Sequence, residues 1–582
     1  MPVRSLPNDP SFDHLRKQAK RLRDDARAGE ADALALIREF HPHPPPHGEP
    51  VKLVDAQLAI ARSYGFATWT KLKAHLDAIA PLVWNPPPPP TSREDTFLVL
   101  ACLTYAGWRP SDPAKAARLL ADDADLVRAS IYTAAAAGDA AAVRNRLDDH
   151  PELLDRKGGA LNWPPLLYAC YARMDGLVRN GSTLEVARLL LERGADANAG
   201  FLYSGSYAFT ALTGAFGRGE DWPNMPPHPD CERLARLLLE AGADPNDSQA
   251  LYNRHFQPDD AHLRLLLEYG LGREKGGPWL SRLNYRASPA RLLIEELWAA
   301  AKNHHLDRVK LLVAHGVDVN AAGLRDGRTP YEEALLAGHE DVAAWLLAHG
   351  AKRIELDPAD AFALDCITGR GEEVRARLRL DPGLLTRRGG AGLIELLHRA
   401  EEAGSRDGIR LLLDLGADIN GMVPQTAYDR TVLHNAAGWR GLAMVEFLLS
   451  LGADPQRRCL PFHSTPIGWA YHNKQDDVVA RLMEVANIFD AVRCDGVERA
   501  AELLRLDPSA ANARDEDGNP LLAYAHTELR RQAEMMALLV AHGADVNARF
   551  ADGATLLDRA LSRGLVDYAS LLRSHGAKTS AG

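Results

Sequence analysis

The sequence predicts an all-α solenoid of stacked two-helix repeats behind a small N-terminal helical module. Three observations carry this. A Gly-Ala-Asp triplet keeps returning behind a leucine run, as LLLERGAD around Gly194, LLLEAGAD around Gly242, LLLDLGAD around Gly416, LLSLGAD around Gly452 and LLVAHGAD around Gly543, with weaker copies at Gly270, Gly316, Gly350 and Gly576. The gaps Gly316 to Gly350, Gly416 to Gly452 and Gly543 to Gly576 are 34, 36 and 33 residues, a period that belongs to a helix–turn–helix–loop repeat too thin to bury its apolar face without neighbours. The segments 134–159, 367–390 and 492–515 lack the triplet but resemble one another: each has a small-residue helix end, an arginine- and leucine-bearing helix, and a stop at His150-Pro151, Asp381-Pro382 or Asp507-Pro508.

Residues 1–80 read as the helical module. Phe12, Leu15, Ala19 and Leu22 recur at three- and four-residue intervals, which marks one face of a helix from about Asp13 to Ala28. Gly29 ends it and Ala31 to Phe40 forms a second helix. The prolines of HPHPPPHGEP (41–50) cannot continue a helix, because they lack the amide donor and clash with the preceding turn. Leu53, Ala56, Leu58 and Ile60 open a third helix that runs to about Tyr64, and Phe66 and Trp69 bracket a turn before Leu72, Leu76 and Ile79 on a fourth. Residues 81–92 form a proline-rich linker, whose run Pro86–Pro90 is a stiff spacer of roughly 15 Å at about 3.1 Å per residue.

The array follows, as one sub-array over 93–355 with an irregular insertion at 217–279, and a second over 356–582. Its cleanest repeat is DGRTPYEEALLAGHEDVAAWLLAHGA, 326–351. Asp326-Gly327 makes the tight turn of a protruding finger. Thr329 caps the first helix, and Pro330 sits in its first turn where no amide partner is lost. Gly338 ends that helix; Val342, Leu346 and Leu347 form the inner face of the second, and Gly350 supplies a left-handed cap. With Thr431–His434 (TVLH) followed by NAAG, and Asp545–Ala548 (DVNA) closing a repeat, the chain from about Asn162 to Ala577 resembles the ankyrin-repeat family. Dividing the array by the period gives about 14 partly degenerate repeats. The N-terminal segment, LRKQAKRL…AGEADAL…VKLVDAQLAIARSYGFATWTKLKAHL, resembles a helical module found ahead of ankyrin arrays in bacterial proteins, which implies a bacterial cytoplasmic protein.

Composition narrows the function. Of 582 residues, 46% are hydrophobic and 25% charged, ordinary values for a globular chain. The net charge is −10, and its spread is uneven: residues 1–80 carry two more basic than acidic residues and the remainder twelve more acidic than basic. An acidic array lacks the basic face that phosphate backbones need, which argues against nucleic acid. The most apolar stretch, Thr96 to Trp108, is too short to span a bilayer. Six scattered cysteines without metal-ligand spacing read as reduced thiols. No sequence feature implies a cofactor or metal, and none sets an oligomeric state.

Chemistry-bearing motifs are absent: no H-E-x-x-H, no phosphate-binding G-x-x-x-x-G-K-[ST], no G-x-S-x-G. His526-Thr527-Glu528 lacks the P-C-x-x-C that a deaminase needs after it. His315, His349 and His542 suit the dipole of second-helix ends, and His434 reads as a hydrogen-bonding residue of its turn. His41, His43 and His47 read as a solvated linker, and Arg16, Lys17, Lys20, Arg21 and Arg23, beside Asp13, Asp24 and Asp25, as a solvated helix face.

One stretch departs from the repeat. After FTALTGAFGRGE comes the insertion DWPNMPPHPDC (221–231), and the next repeat opens with NDSQALYNRHFQPDD (246–260), its spacing cut to 28 residues between Gly242 and Gly270. Trp222, His228 and Asp230 on the insertion, with Asp244, Asn246, Asp247, Gln249, Tyr252, Asn253 and His255, give it an unusual polar and aromatic density. Two readings stand: capping groups and a surface loop, or a site for a peptide or small polar ligand, with Asp244, Asp247 or His255 as a general base in its enzymatic form. The leading functional expectation is a non-enzymatic scaffold or regulator that binds a protein partner through the concave face and fingers. Its candidate anchors are Trp439 and the Phe201, Tyr203 and Tyr207 of the FLYSGSY loop. The alternative is a ligand-binding protein or unconventional enzyme whose site lies in 217–279.

Overall fold

The computed structural model describes the whole chain except residues 1–5, 7–10, 47, 89, 91, 106–110, 180, 274–276, 283–287, 324–326, 461, 526–528, 564 and 582. His47, Asp326, Trp108 and the His526-Thr527-Glu528 triplet therefore lie outside the described residues. The chain is 58% helical and 3% strand. It divides into two compact units, Met1–Glu296 and Leu297–Gly582. The sub-array boundary expected near 355 falls inside the second unit, where the helix Pro358–Thr368 packs on Pro330–Leu336 as one repeat does on the next.

The repeat unit is a first helix, a tight reversal and a second helix. Counting the 3-10 turn Leu521–Tyr524 as a first helix, fourteen such pairs follow one another among the described residues, from Arg93–Ala101 with Pro113–Asp122 to Leu556–Ser562 with Val566–Ser574. First helices pack on first helices and second on second, giving two layers: Ile131–Ala137 lies against Pro165–Tyr171 and that against Ala211–Phe216, while Thr183–Glu192 lies against Cys231–Glu240. The interface is closed by small and branched residues, such as Leu397, Val432, Ile467, Val445 and Leu482 in the second unit, all almost fully buried. Each slab thus covers the apolar face its neighbour cannot cover alone.

Local chemistry sets each boundary. Thr329, Thr431 and Thr555 cap first helices, and the third residue of each helix (Glu332, His434, Asp558) returns a side-chain bond to the threonine amide. The glycine of the recurring triplet is left-handed wherever it ends a second helix, from Gly316 at φ +84° to Gly350 at +97°, which spares the strain a Cβ would bring. An asparagine four residues beyond then clamps the next repeat. Asn320 donates its amide to the Gly350 carbonyl (3.0 Å) and accepts the Lys352 N–H (2.8 Å). Asn198, Asn420, Asn512 and Asn547 do the same to Gly242, Gly452, Gly543 and Gly576. His315, His349 and His542 each turn Nδ1–H to the carbonyl four residues back.

The N-terminal helices are Phe12–Arg27, Ala31–Phe40, Leu53–Ser63 and Trp69–Ile79; the first three lie within one residue of the expected positions, and the fourth starts at Trp69, which was expected in the turn, because Thr68 caps it there. Arg16, Arg21 and Arg23 pair with Asp13, Asp25 and Asp24 along the exposed face. His41 departs from expectation: its ring is largely covered and lies 3.7 Å from Asp55.

Two features were not foreseen. The FLYSGSY segment is a β-hairpin, and the start of the linker joins it. Strand β1 (Val83–Trp84) runs parallel to β2 (Gly200–Tyr203), which pairs antiparallel with β3 (Tyr207–Thr210). Ser204 at φ +49° and Gly205 at +71° make the reversal. The linker is accordingly held at its first end: the Trp84 indole donates to Leu161 O at 2.7 Å and Lys157 to Pro81 O at 3.1 Å. The module is docked as well, because Leu15, Phe66, Leu72, Leu76 and Ile79 share one buried cluster with Leu202, Ala208 and Trp279. No helix among the described residues is long and apolar enough to cross a membrane.

Candidate functional site

The irregular stretch 217–279 is knitted from within. Its insertion is held by Arg173, which is almost fully buried and spends its guanidinium on four carbonyls: Pro226 (2.9 Å), Cys170 (3.2 Å), Ala172 (2.9 Å) and Gly214 (2.8 Å). His228 is buried beside it. Its Nδ1 accepts the Asp230 N–H at 3.0 Å, so Nε2–H is the donor to the Thr183 hydroxyl at 2.6 Å, and that hydroxyl donates to Asp175. Burial, with Arg173 adding to it, lowers the imidazole to about 3, which keeps it neutral as this chain of bonds requires. Asp230 pairs with Arg233 at 2.7 Å, and Trp222 is half-buried with the Arg218 guanidinium 6.0 Å from its ring.

The repeat that follows opens without a finger. Asp247 takes the cap position directly and accepts the N–H groups of Gln249 (3.0 Å) and Ala250 (2.9 Å), while its second oxygen takes the Thr210 hydroxyl. Burial pushes this carboxyl up to about 6, against the pull of those bonds. Asp244 accepts the Asn246 N–H at 3.1 Å and the Gly277 N–H at 2.6 Å, and the Asn246 carbonyl takes the Gly272 N–H at 2.9 Å. Gln249 donates to Asn253 (2.9 Å), which donates to the Tyr105 hydroxyl (3.3 Å). Tyr252 bonds Glu220, and His255 bonds Glu296. Asp244, Asn246 and Asp247 do share one crevice with Thr210 and Trp279, but its free space is about 10 Å³, enough for about one water.

A different arrangement occurs in the second unit, where apolar groups are left on the outside. One finger closes on itself there through Cys459 N–H to Ser464 O (2.9 Å), and it pairs with the preceding finger through Leu460 N–H to Asp429 O (3.0 Å). The buried His434 fixes this from below: it accepts the Thr431 N–H at Nδ1 and directs Nε2–H to Ser464 O at 2.9 Å. Burial lowers its imidazole to about 4. On this frame Phe462 is 69% exposed and Trp439 38% exposed. Trp469 lies between them, 5.2 Å from Trp439 edge-on and 6.1 Å from Phe462. Arg430 stands over both tryptophans, at 5.4 and 5.2 Å, steered by its Nε–H bond to Asn435 at 2.6 Å.

The helix end that presents Trp439 is unusual. Where the repeat of Thr329 ends its first helix on left-handed Gly338, this one has Arg440 in the equivalent position. The left-handed residue moves one place on, to Gly441 at φ +79°, and the helix closes by a wide π turn over Ala436–Arg440, with Gly441 N–H reaching Ala436 O at 3.2 Å. The arginine then lies 3.7 Å from the buried carboxylate of Glu401, on the neighbouring helix Gly383–Glu402.

Comparison with known proteins agrees with this architecture. The family model for ankyrin repeats in many copies matches residues 297–347, and that for the single ankyrin repeat matches residues 428–459. The chain is an ankyrin-repeat protein. It is also similar to the NF-kappa-B inhibitor cactus of Drosophila yakuba, 28% identical over 162 residues, and to that of Drosophila melanogaster, 29% identical over 161 residues. These matches cover 24% and 23% of this chain, and 33% and 32% of the relatives. The chain thus matches about a third of the length of these relatives.

Within the ankyrin frame, the ten residues singled out by sequence separate into three groups rather than one pocket. Asp244, Asn246 and Asp247 gather at the crevice, and Gln249 with Asn253 extends that network to Tyr105. His228, Asp230 and Trp222 belong to the anchored insertion, and Tyr252 and His255 pair with Glu220 and Glu296. Of the candidate anchors, Trp439 is exposed as expected and Tyr207 is 52% exposed. Phe201 is not an anchor: it is buried between the rings of Trp163 (5.0 Å) and Phe209 (5.6 Å), because β2 turns it inward. Phe462 and Trp469 went unnoticed. The signal for Phe462 was the finger CLPFHSTP, which puts Phe462-His463 where other fingers carry Asp-Gly.

Proposed function

We propose that this ankyrin-repeat chain is a non-enzymatic regulator that binds a protein partner through the fingers and first helices of its second unit, with Trp439, Phe462 and Trp469 as anchors. The observation that carries the reading is the exposure of Phe462 and Trp439 on a finger pair fixed by His434. Large aromatic groups cost free energy in water, and a rigid frame holding them out pre-orders them for burial against another surface. The name of the matched relatives is that of an inhibitor, which supports a protein that acts by occupying its partner. The six free cysteines, five of them buried, fit a reducing compartment, and with the N-terminal resemblance they support the bacterial cytoplasm as its setting.

The alternative, a peptide or small-molecule site or an active site in 217–279, has less support. Its polar groups are engaged with one another, and its crevice has room for about one water. The test uses the immobilised full chain and its Trp439→Ala, Phe462→Ala double variant as baits in native extract. A partner retained in stoichiometric amount by the first and released by the second supports the reading. Equal retention by both baits, at equal circular dichroism, removes it, as does the lack of any stoichiometric partner in repeated captures.

A further inference from the structure

The fingers 421–430 and 455–464 around Phe462 carry Arg430, Arg457 and Arg458 against Asp429, in a chain that is acidic overall. Between 421 and 474 stand Arg430, Arg440, Arg457, Arg458 and Lys474 against Asp429, Glu446 and Asp454, in a protein of net charge −10. Two of those acids are engaged: Glu446 pairs with Arg481 at 2.6 Å, and Asp454 accepts the Gln456 N–H at 2.8 Å. At the strip itself Asp429 lies 3.7 Å from Arg430, the buried Glu401 lies 3.7 Å from Arg440, and Asp515 accepts the Tyr524 hydroxyl. The next repeat adds Arg493, which donates to the His463 carbonyl at 3.4 Å and lies 4.6 Å over the ring of Tyr524. A run of rings therefore leads from Trp439 across Trp469 to Phe462, with Arg430 over both tryptophans and Arg493 between the Phe462 finger and Tyr524.

We infer that this strip takes an extended acidic peptide segment of the partner, its carboxylates against the arginines and its apolar side chains over Phe462 and Trp439. The inference rests on the partner-binding reading above and adds the chemistry of the partner. Guanidinium groups match carboxylates in a bidentate fork. Arg430, fixed between two indoles and Asn435, needs little further ordering to use that geometry, and the aromatic faces supply the apolar part of the contact. An extended segment fits because the contacts follow successive fingers, one repeat after another. A nucleic acid would offer phosphates to the same arginines, but a chain of this net charge repels a polyanion along the rest of its length.

Selection of random dodecapeptides displayed on phage, with the full chain as target, tests this. The expected winners combine several Asp or Glu with Leu or an aromatic residue, and the best of them, labelled for fluorescence anisotropy, weakens about tenfold against Phe462→Ala, less against Arg493→Glu, and with added salt. Phe462 is so exposed that its truncation leaves the melting curve in place, which separates lost contact from lost fold. Neutral or basic winners that still depend on Phe462 overturn the acidic chemistry while leaving the partner surface standing. Winners indifferent to both Phe462 and Trp439 overturn the two readings together. An oligothymidylate of equal length that binds as tightly as the best peptide overturns the inference in favour of nucleic acid.

Discussion

Two regions of this array break the repeat rule, and they break it in opposite directions. In 217–279 the departures point inward. A deleted finger and an inserted loop bring Arg173, His228, Asp244 and Asp247 under cover, and each is spent on a carbonyl, a hydroxyl, a loop N–H or a helix cap. In 430–469 the departures point outward. The finger keeps its length but carries phenylalanine, and an arginine in place of the usual glycine reshapes the helix end so that Trp439 stays exposed. The contrast teaches that an odd sequence within a repeat protein is not by itself a site. What separates the two is whether the unusual groups are consumed by the fold or left over.

The largest expected effect lies in the first region. Arg173→Met leaves the carbonyls of Cys170, Ala172, Gly214 and Pro226 without this donor, a loss of about 4 kcal/mol if each buried carbonyl costs roughly 1 kcal/mol. Urea denaturation should show an earlier transition; a shift within error would mean that the insertion is held by something else. The second effect is about 2 kcal/mol, and it falls on binding. Phe462→Ala should weaken the captured partner about thirtyfold while stability stays within about 0.5 kcal/mol. If the melting temperature falls instead, Phe462 belongs to the consumed class and the contrast is lost.

The period, the triplet and the capping threonines were legible because they are local: a glycine needs its left-handed φ and a threonine its N–H groups wherever the repeat occurs. The N-terminal helices were legible for the same reason, through their spacing. The hairpin Gly200–Thr210 was not, because its pairing with Val83–Trp84 joins segments more than a hundred residues apart. Nor was the fate of Asp247 or His228. The sequence shows that a carboxylate or imidazole is present, but only the fold brings Thr210, Thr183 or Asp175 to it. Trp439 was found because it follows a recognisable TVLHNAAG helix. Phe462 was missed because a finger tip carries no periodicity to be broken.

A smaller effect sharpens the first half of the contrast. Asn246→Ala removes an amide that bonds Asp244 and accepts the Gly272 N–H, and should cost about 1 kcal/mol in the same denaturation experiment. Tyr252→Ala and His255→Ala, on the rim of the network, should cost less. Should any of the three leave the melting point alone yet abolish a ligand-induced stabilisation, region 217–279 would move to the class of sites.

The smallest effect concerns Glu401, which lies between the classes: it is buried as the polar groups of 217–279 are, yet its counter-ion Arg440 neighbours the exposed Trp439. Burial pushes its carboxyl up to about 8, with Arg440 pulling the other way. Between the ordinary 4.5 and about 8, the unfolded chain has therefore released a proton that the folded chain still holds, so stability falls as pH rises through that window and levels off above it. The buried histidines act in the opposite sense. His398 and His434, lowered by burial to about 3 and about 4 from 6.5, are neutral in the fold, and their contribution is lost as pH falls below 6.5. The interval from about 6.5 to about 8 is where the slope of Glu401 stands clear of these histidines. There wild-type stability should decline by about 1 kcal/mol or less, and Glu401→Gln, which cannot ionise, should flatten the decline. A slope that survives the substitution unchanged would assign it to Glu402 or to another raised acid, and would leave Arg440 held outward by the π turn alone.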